Sequence, residues 1–179
     1  LAIVVADTLA QAEHAATLVR IGYANTPAQL SFDGLRDAAV VPDEILGEPP
    51  EVKVGDAEGA RGKAAVVVDQ VYRTPWYNHN AIEPHATMAA WDGDHLSVYE
   101  STQAVSRFAA SLAEVFDIDP ELVQVKAPFV GGGFGGKGGM WQPSVICAAV
   151  AKVVGRPVRL ALTREQVHRT VGGRTVAEQ

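Results

Sequence analysis

Seven of the ten residues in the segment VGGGFGGKGG, residues 130–139, are glycines, and this glycine loop has the clearest chemical potential in the sequence. Glycine has no Cβ, so a ligand can approach the backbone amides of such a loop closely. Successive backbone N–H groups in a loop bind anions, phosphate groups among them. The loop therefore predicts a phosphate-bearing ligand, which is a nucleoside triphosphate, a dinucleotide or another phosphorylated cofactor.

Two phosphate-binding motifs match the loop only in part. Gly131, Gly136 and Lys137 fit the front of a P-loop, but Gly138 stands where a Ser or Thr should bind Mg²⁺. Gly131, Gly133 and Gly136 fit G-x-G-x-x-G, yet the next helical pattern begins about six residues too late to face a pyrophosphate. A ligand-free glycine turn is the third interpretation, and the entropy that a glycine run loses on folding disfavours it.

Polar candidates outside the loop are few. Gln103 precedes a predicted helix, so its amide could cap that helix or donate a hydrogen bond to a ligand. His79 and Glu83 have the residue types of a metal site or an acid–base pair. His85 and His95 are isolated in the sequence, and we expect surface or hydrogen-bonded positions for both.

Composition sets the outer limits on function. The chain has 179 residues, of which 47% are apolar and 20% charged, and this balance is typical of a globular domain. A formal net charge of −6 argues against a broad nucleic-acid surface. Cys147 is the single cysteine, which excludes an internal disulfide or a cysteine-built zinc or iron–sulfur site within this sequence. The sequence contains no run of 18 apolar residues, so no membrane span is predicted.

Hydrophobic periodicity and turn signals predict a mixture of helices and strands around the loop. Strands are predicted at 2–6, 20–24, 64–76, 122–130 and 156–163, and on both sides of the turn at 92–94. Helices are predicted at about 9–19, 103–116 and 142–154, with capping-box residues at Thr8 and Gln11 and again at Thr163 and Gln166. The elements therefore predict an α+β fold.

Several motifs together resemble the molybdenum-binding subunit of the xanthine dehydrogenase/aldehyde oxidase family. GGGFGGK, preceded by STQ and followed by GRPVRLALTREQ, carries the most specific part of the resemblance. HNAIEPHATMAAW, the late GGR and TLAQAEHAATLVRIGYAN extend it over nearly the whole sequence. The family's subunit is much longer, so we expect an internal fragment, inactive by itself.

The resemblance implies an order of domains. Residues 1–46 would form the end of an α/β hammerhead-like domain, and residues 64–179 the first part of a molybdopterin-binding domain. Residues 47–63, rich in proline, glycine and charge, would be the linker. The remainder of the molybdenum subunit would be the first partner of this chain, and we expect a cytoplasmic parent, with export left open.

The implied cofactor is molybdenum held by the dithiolene of a pterin, possibly as the cytosine dinucleotide. Gln103 would donate a hydrogen bond to a molybdenum oxygen, and the main chain of Phe134 and Gly135 would lie against the metal end. The implied cofactor-binding residues are Gln103, Gly132, Gly133, Phe134, Gly135 and Gly136, none of which ligates the metal directly. Lys137 would bind phosphate or be a solvated loop residue, and Glu83 would be structural.

The implied reaction is oxidative hydroxylation with water-derived oxygen, with electrons passing to iron–sulfur clusters and FAD on partner domains or subunits. The family's catalytic glutamate matches nothing in this sequence, so no catalytic base is assigned. Gly138 replaces a glutamate of the purine-oxidising members, and Met140 and Trp141 could form apolar walls beside it. Aldehydes or N-heterocycles are therefore expected as substrates. The contrasting hypothesis is a cofactor-free structural or assembly module.

Overall fold

The computed structural model describes residues 2–45 and 47–179, which divide into two compact units, one up to Ala65 and one from Val66 onward. The predicted end of the first domain, residue 46, lies outside the described residues. The predicted domain limits therefore remain a prediction. Among the described residues, no helix is both long enough and apolar enough to cross a membrane.

The first unit contains the helices α1 (Leu9–Leu18) and α2 (Ala57–Lys63) and a 3-10 helix, Asp33–Ala38. α1 begins as predicted, because the Thr8 hydroxyl accepts from Gln11 N at 3.3 Å and completes a capping box. α2 lies inside the predicted linker, where the Asp56 carboxylate accepts from Gly59 N at 2.8 Å and starts a short helix. The sequence reading did not predict this helix.

Two strands predicted in the first unit are absent from its described part. Residues 2–6 and 20–24 have no regular secondary structure and are mostly exposed, and no described strand pairs with them. An isolated strand leaves its backbone N–H and C=O groups to water, so an apolar pattern does not make a strand unless a neighbour is present. Both predictions were wrong for that reason.

The second unit is built on a four-stranded sheet with the order β4-β3-β2-β5, formed by Val123–Lys126, His95–Glu100, Ala86–Asp92 and Val158–Ala161 respectively. β2 is antiparallel to both β3 and β5, and β3 is parallel to β4. The β2–β3 hairpin forms as predicted around Gly93, whose φ of 57° suits a tight turn. This mixed sheet confirms the α+β class.

Two helices cover one face of the sheet. They are α3 (Val105–Phe116) and α4 (Gln142–Val154), both close to their predicted limits. Their buried side chains meet those of the sheet in one core formed by Ala89, Leu96, Val98, Phe108, Leu112, Ala113, Val123, Cys147, Ala148 and Ala151. α4 ends at Gly155, in the left-handed conformation that favours glycine. A last helix, α5 (Arg164–Thr170), begins at the predicted capping box of Thr163 and Gln166.

The remaining predicted strands are shorter than expected. Of residues 64–76, only β1 (Arg73–Thr74) pairs, and its partner is β6 (Ala177–Glu178). Most of that β-branched run is exposed and has no neighbouring strand among the described residues. β4 ends at Lys126 rather than 130, and Pro128 has no N–H with which to continue the ladder. The chain is thereby released from the sheet into the glycine loop.

Candidate functional site

The candidate site lies where two parallel strands end. STQ, residues 101–103, follows β3 directly, and the glycine loop follows β4 after a connection of three residues, 127–129. Because β3 and β4 are parallel neighbours, their carboxyl ends lie at the same edge of the sheet. Gln103 N donates to Lys137 O at 2.9 Å, which joins the two segments.

The backbone of the glycine loop makes two consecutive tight turns. Gly136 N donates to Gly133 O at 2.8 Å, and Gly138 N donates to Gly135 O at 3.1 Å. Phe134, inside the first of these turns, has a φ of 51°, a left-handed conformation that is uncommon for a non-glycine residue. Its side chain is 71% exposed, so it does not anchor the loop in the core. An exposed aromatic ring on a strained backbone is typical of a functional loop.

Gln103 is held by the loop rather than by the helix that follows it. Its Oε1 accepts from Gly135 N at 3.1 Å and from Lys137 N at 3.3 Å. Both partners are N–H donors, so the carboxamide oxygen faces the loop and the NH₂ group remains for another acceptor. α3 has no side-chain cap among the described residues, and the Thr102 hydroxyl accepts from Ala104 N at 3.1 Å. Gln103 is therefore not a helix cap.

Side chains lie within 3 Å of where a Cβ would be at three loop glycines, Gly131, Gly133 and Gly136. A Cβ added to Gly133 would lie 2.3 Å from Gln103 Oε1, and one added to Gly136 would lie 2.8 Å from His79 Nδ1. Both distances are far inside van der Waals contact. From the sequence alone, these glycines are explained by the room that a ligand needs. The structure adds a second reason, because Gln103 and His79 lie too close for a side chain at these positions.

Lys137 is buried, which contradicts both predictions made for it. Its side chain is 0% exposed, and its Nζ donates to Glu83 Oε2 at 2.6 Å and to Ser101 Oγ at 2.8 Å. A lysine in this position is neither solvated nor available to a phosphate group. The ammonium is instead compensated by a carboxylate, as a buried charge must be.

One carboxylate oxygen of Glu83 accepts three hydrogen bonds from the protein. Its Oε2 accepts from Lys137 Nζ, from the Ser101 hydroxyl and from Gly131 N, the last at 2.6 Å. Partial burial would raise the pKa of Glu83, but these hydrogen bonds and the nearby ammonium outweigh it and lower the pKa to about 2. The residues described contain no group of three His, Cys, Asp or Glu side chains that could hold a metal ion. This geometry agrees with a structural role for Glu83.

A small histidine-lined cleft lies beside the loop and is open to solvent. His79, His85, His168 and Gly133 contribute to its walls. His85 Nε2 lies 2.9 Å from Gly136 O, and burial lowers the pKa of His85, so the ring is neutral with its proton on Nε2. His85 Nδ1 is buried without a hydrogen-bond partner among residues 2–45 and 47–179. His95 lies exposed at the start of β3.

The three residues expected to line a substrate pocket are separated. Gly138 and Met140 line a second cleft of about 80 Å³, together with Arg107, Phe108 and Ser111. Trp141 does not line that cleft: its Nε1 donates to Gly136 O at 2.7 Å, and its ring packs against a cluster that contains Val167. Trp141 therefore supports the loop from the side of α5.

Two residues of the site were missed by sequence reasoning. From STQ the sequence predicts a role for Gln103 alone. In the structure Ser101 is hydrogen-bonded to Lys137 and Glu83, and the Thr102 hydroxyl donates to Lys137 O at 3.1 Å. The available signal was three consecutive polar residues after a half-buried strand. Ser101 and Thr102 are both buried, so each needs a hydrogen-bond partner.

A buried carboxyl group lies directly beneath the site. Glu100 is 5% exposed, and the Thr87 hydroxyl donates to its Oε2 at 2.6 Å. Burial raises the pKa of Glu100, and hydrogen bonds from Thr87 and Ser144 oppose this rise only in part. The folded protein therefore holds the Glu100 proton to a higher pH than the unfolded chain does.

We expect Glu100 to make stability fall as pH rises. Its contribution is complete below the ordinary pKa of 4.5 and is lost as pH rises through the raised folded-state value. Glu100→Gln resembles the protonated acid and should remove this part of the dependence, whereas the exposed Glu114→Gln should not. Denaturant unfolding of both variants at mildly acidic and mildly alkaline pH measures the difference. An unchanged pH dependence in Glu100→Gln would contradict the prediction.

Comparison with known proteins finds one matching family and several relatives. The family described as the molybdopterin cofactor-binding domain matches residues 39–179. The aldehyde oxidoreductase molybdenum-binding subunit PaoC of Escherichia coli K12 is 38% identical over 167 residues, which is 93% of this chain and 22% of that protein. Mouse xanthine dehydrogenase/oxidase is 30% identical over 176 residues, which is 96% of this chain and 13% of that protein.

Solved structures share the fold. The aldehyde oxidoreductase from Desulfovibrio gigas superposes with a TM-score of 0.75 at 25% identity, over 96% of this chain and 19% of that one. Quinoline 2-oxidoreductase from Pseudomonas putida 86 superposes with a TM-score of 0.70 at 23% identity, over 90% of this chain and 21% of that one. The chain thus spans between about an eighth and a fifth of the length of these relatives.

Proposed function

Because the chain belongs to the molybdopterin cofactor-binding domain family, we propose that it forms part of the cofactor site of a molybdenum hydroxylase. The observation that carries the proposal is the Gln103 carboxamide, which two loop amides orient so that its NH₂ group is available to a ligand. The neighbouring glycines leave the main chain open to close approach. These are the groups that an anionic, pterin-held metal centre needs from the protein.

The residues of this chain fit such a cofactor without ligating its metal. The pterin dithiolene would supply metal ligands, so the lack of a metal-binding cluster in the described part of the chain is no obstacle. When bound, the cofactor supplies two-electron redox chemistry and activated oxygen for hydroxylation. Gln103 would donate a hydrogen bond to the anionic centre without adding charge. The main chain of Gly132–Gly136 would line its approach, although the N–H groups of Gly135 and Gly136 already donate to Gln103 Oε1 and Gly133 O. Phe134 would shield that side from water.

The wider protein is part of the same proposal. Residues 1–46 would complete a hammerhead-like domain, 47–63 would link it, and 64–179 would begin the molybdopterin-binding domain. The remainder of the molybdenum subunit would supply the catalytic base and the other walls of the site. Iron–sulfur clusters and FAD on partner domains or subunits would accept the electrons, and the cofactor would be used as such or as its cytosine dinucleotide.

Metal analysis tests the proposal. The complete gene product, made in a host that loads a second molybdenum enzyme as a positive control, should hold about one molybdenum per subunit and release a fluorescent pterin on oxidation. The 179-residue chain alone should hold none, because binding by a few loop amides does not offset the entropy lost on association. A complete gene product without molybdenum, beside a loaded control enzyme, would favour the assembly-module hypothesis.

Substrate choice is proposed from Gly138. The purine-oxidising members have a glutamate at this position, and without it a purine N–H loses its acceptor, at a cost of roughly 1–3 kcal/mol. The cleft formed by Gly138, Met140 and Phe108 is more suitable for an aromatic aldehyde or a simple N-heterocycle. We propose those substrate classes for the complete enzyme.

Gly138→Glu should therefore raise the kcat/KM for xanthine relative to benzaldehyde, by roughly 5- to 100-fold. A Cβ at Gly138 would lie 3.3 Å from Gly135 O, so the loop backbone must shift by a few tenths of an ångström to accept the side chain. Gly138→Gln controls for size and should give a smaller shift. Assays with an artificial electron acceptor measure both ratios, and a wild-type preference for xanthine would refute the proposed substrate class.

A further inference from the structure

Lys137 carries its charge in a place that water does not reach. Its side chain is 0% exposed, and of the two glycines beside it Gly136 is buried and Gly138 half-buried. A buried ammonium ion without a partner would lose its proton or destabilise the fold. Glu83 compensates the charge at 2.6 Å, and Ser101 Oγ accepts a second hydrogen bond at 2.8 Å. Burying the Lys137 ammonium is costly even beside a carboxylate, so we expect this lysine to have a role beyond packing.

One carboxylate oxygen holds both ends of the ligand-facing part of the loop. Glu83 Oε2 accepts from Gly131 N at 2.6 Å and from Lys137 Nζ, and the Ser101 hydroxyl donates to the same atom. Glu83 N also donates to Gly131 O at 3.2 Å. Because Gly131 and Lys137 flank the five residues between them, the Lys137–Glu83–Ser101 network fixes the width of the loop.

The same network is connected to Gln103. Lys137 N donates to Gln103 Oε1 at 3.3 Å, and Lys137 O accepts from Gln103 N at 2.9 Å. Thr102 Oγ1 donates to that carbonyl as well, at 3.1 Å. The backbone of Lys137 therefore sets the position of Gln103 while its side chain is anchored to Glu83. A shift of residue 137 would turn the Gln103 carboxamide.

We propose that Lys137 and Glu83 are positioning residues whose ion pair fixes the glycine loop and thereby directs the NH₂ group of Gln103. The charge of Lys137, the lysine of the GGGFGGK motif, holds the loop from beneath, and the lysine does not contact the ligand. The statement that the NH₂ group of Gln103 is directed toward a cofactor rests on the proposed function. The statement that the ion pair fixes the loop does not. The two parts are therefore tested separately.

The first test measures loop order by hydrogen–deuterium exchange in the complete gene product, prepared without cofactor. Lys137→Met should speed exchange in residues 101–104 and 131–137 by about tenfold or more and leave α4 unchanged. Lys126→Met, an exposed lysine on β4, is the matched control and should change neither region. The double variant Lys137→Met/Glu83→Gln removes the uncompensated carboxylate. It should regain most of the thermal stability that Lys137→Met loses, while its loop exchange stays fast.

Two outcomes of that test would overturn the proposal. One is loop exchange in Lys137→Met within about twofold of the wild-type rate. The other is a rise of equal size in α4 and the β2–β3 hairpin, which would indicate general destabilisation. If Lys137→Met does not fold, Glu83→Gln removes the ion pair and keeps the shape of the side chain. It should give a rise in exchange confined to the loop, and no rise there would equally overturn the proposal.

The second test asks whether Lys137 acts through Gln103 in the loaded enzyme. Lys137→Met should lower kcat per bound molybdenum about tenfold in the wild-type background and less than about twofold in the Gln103→Ala background. Fully additive losses would overturn this part of the proposal. Absence of molybdenum from the wild-type protein would refute the proposed function instead, and the exchange result would still decide whether the ion pair fixes the loop.

Discussion

Gly133→Ala should leave the complete gene product folded but unable to hold its cofactor. The added Cβ would lie 2.3 Å from Gln103 Oε1 and 2.4 Å from its Cδ, so the carboxamide must leave the position that the loop amides give it. Overpacking of this kind costs typically about 1–3 kcal/mol, which a whole domain tolerates but a preorganised site does not. Molybdenum content and thermal unfolding of the purified variant measure the two effects.

A control in the same loop separates close contact from the general effect of a side chain. At Gly139 an added Cβ would meet none of the described heavy atoms within 4 Å, and Gly139→Ala should load normally. Gly133→Ala combined with Gln103→Ala should regain loading, because the shorter side chain removes the collision. Normal loading in Gly133→Ala alone would show that the glycine is not required for space.

Gln103→Ala should reduce kcat/KM, corrected for bound molybdenum, by roughly 10- to 150-fold. The change removes a hydrogen bond to a charged centre, worth on the order of 1.5–3 kcal/mol, and each 1.4 kcal/mol corresponds to about tenfold in rate. It also leaves Gly135 N and Lys137 N without the acceptor that now binds both. Steady-state assays of the loaded variant test the donor role of Gln103.

Gln103→Glu distinguishes the loss of the hydrogen bond to the cofactor from the loss of the acceptor for the two loop amides. A carboxylate can still accept from both loop amides, so the loop should remain ordered, but it has no NH₂ group and adds a negative charge near an anionic cofactor. We expect turnover at least as low as in Gln103→Ala, with wild-type hydrogen exchange in the loop. Full turnover in both variants, with normal metal content, would mean that Gln103 serves only to hold the loop.

The parts of the fold that were predictable are those with local causes. α1 and α5 begin at capping boxes whose two residues are three positions apart, and the β2–β3 hairpin forms at its turn. Strands 2–6, 20–24 and 64–76 were predicted wrongly because a strand depends on a partner distant in sequence. An apolar, β-branched run shows the preference for a strand and says nothing about whether a partner exists.

The same distinction applies to the site. The glycine loop was singled out because so many glycines in ten residues are unusual, and Gln103 because STQ and the loop together resemble one family. The burial of Lys137 was not, because its partners Glu83 and Ser101 lie 54 and 36 residues away along the chain. Judged only from the glycines around it, Lys137 would be exposed. Only the fold brings Glu83, which precedes β2, to the end of the sheet where β3 and β4 lead into STQ and the glycine loop.

The parallel pairing of β3 and β4 also has a consequence for the order in which the chain folds. The β2–β3 hairpin needs only a short loop to close, whereas β4 can pair with β3 only after the whole of α3 has crossed between them. Contacts between distant residues form late, because loop-closure entropy opposes them until the intervening chain is in place. The bonds from the glycine loop to Gln103 and Glu83 span between 32 and 54 residues, so we expect the loop to become ordered only after the β2–β3 hairpin has formed. We therefore expect cofactor insertion to follow the pairing of β3 with β4, as a maturation step that the early hairpin alone cannot support.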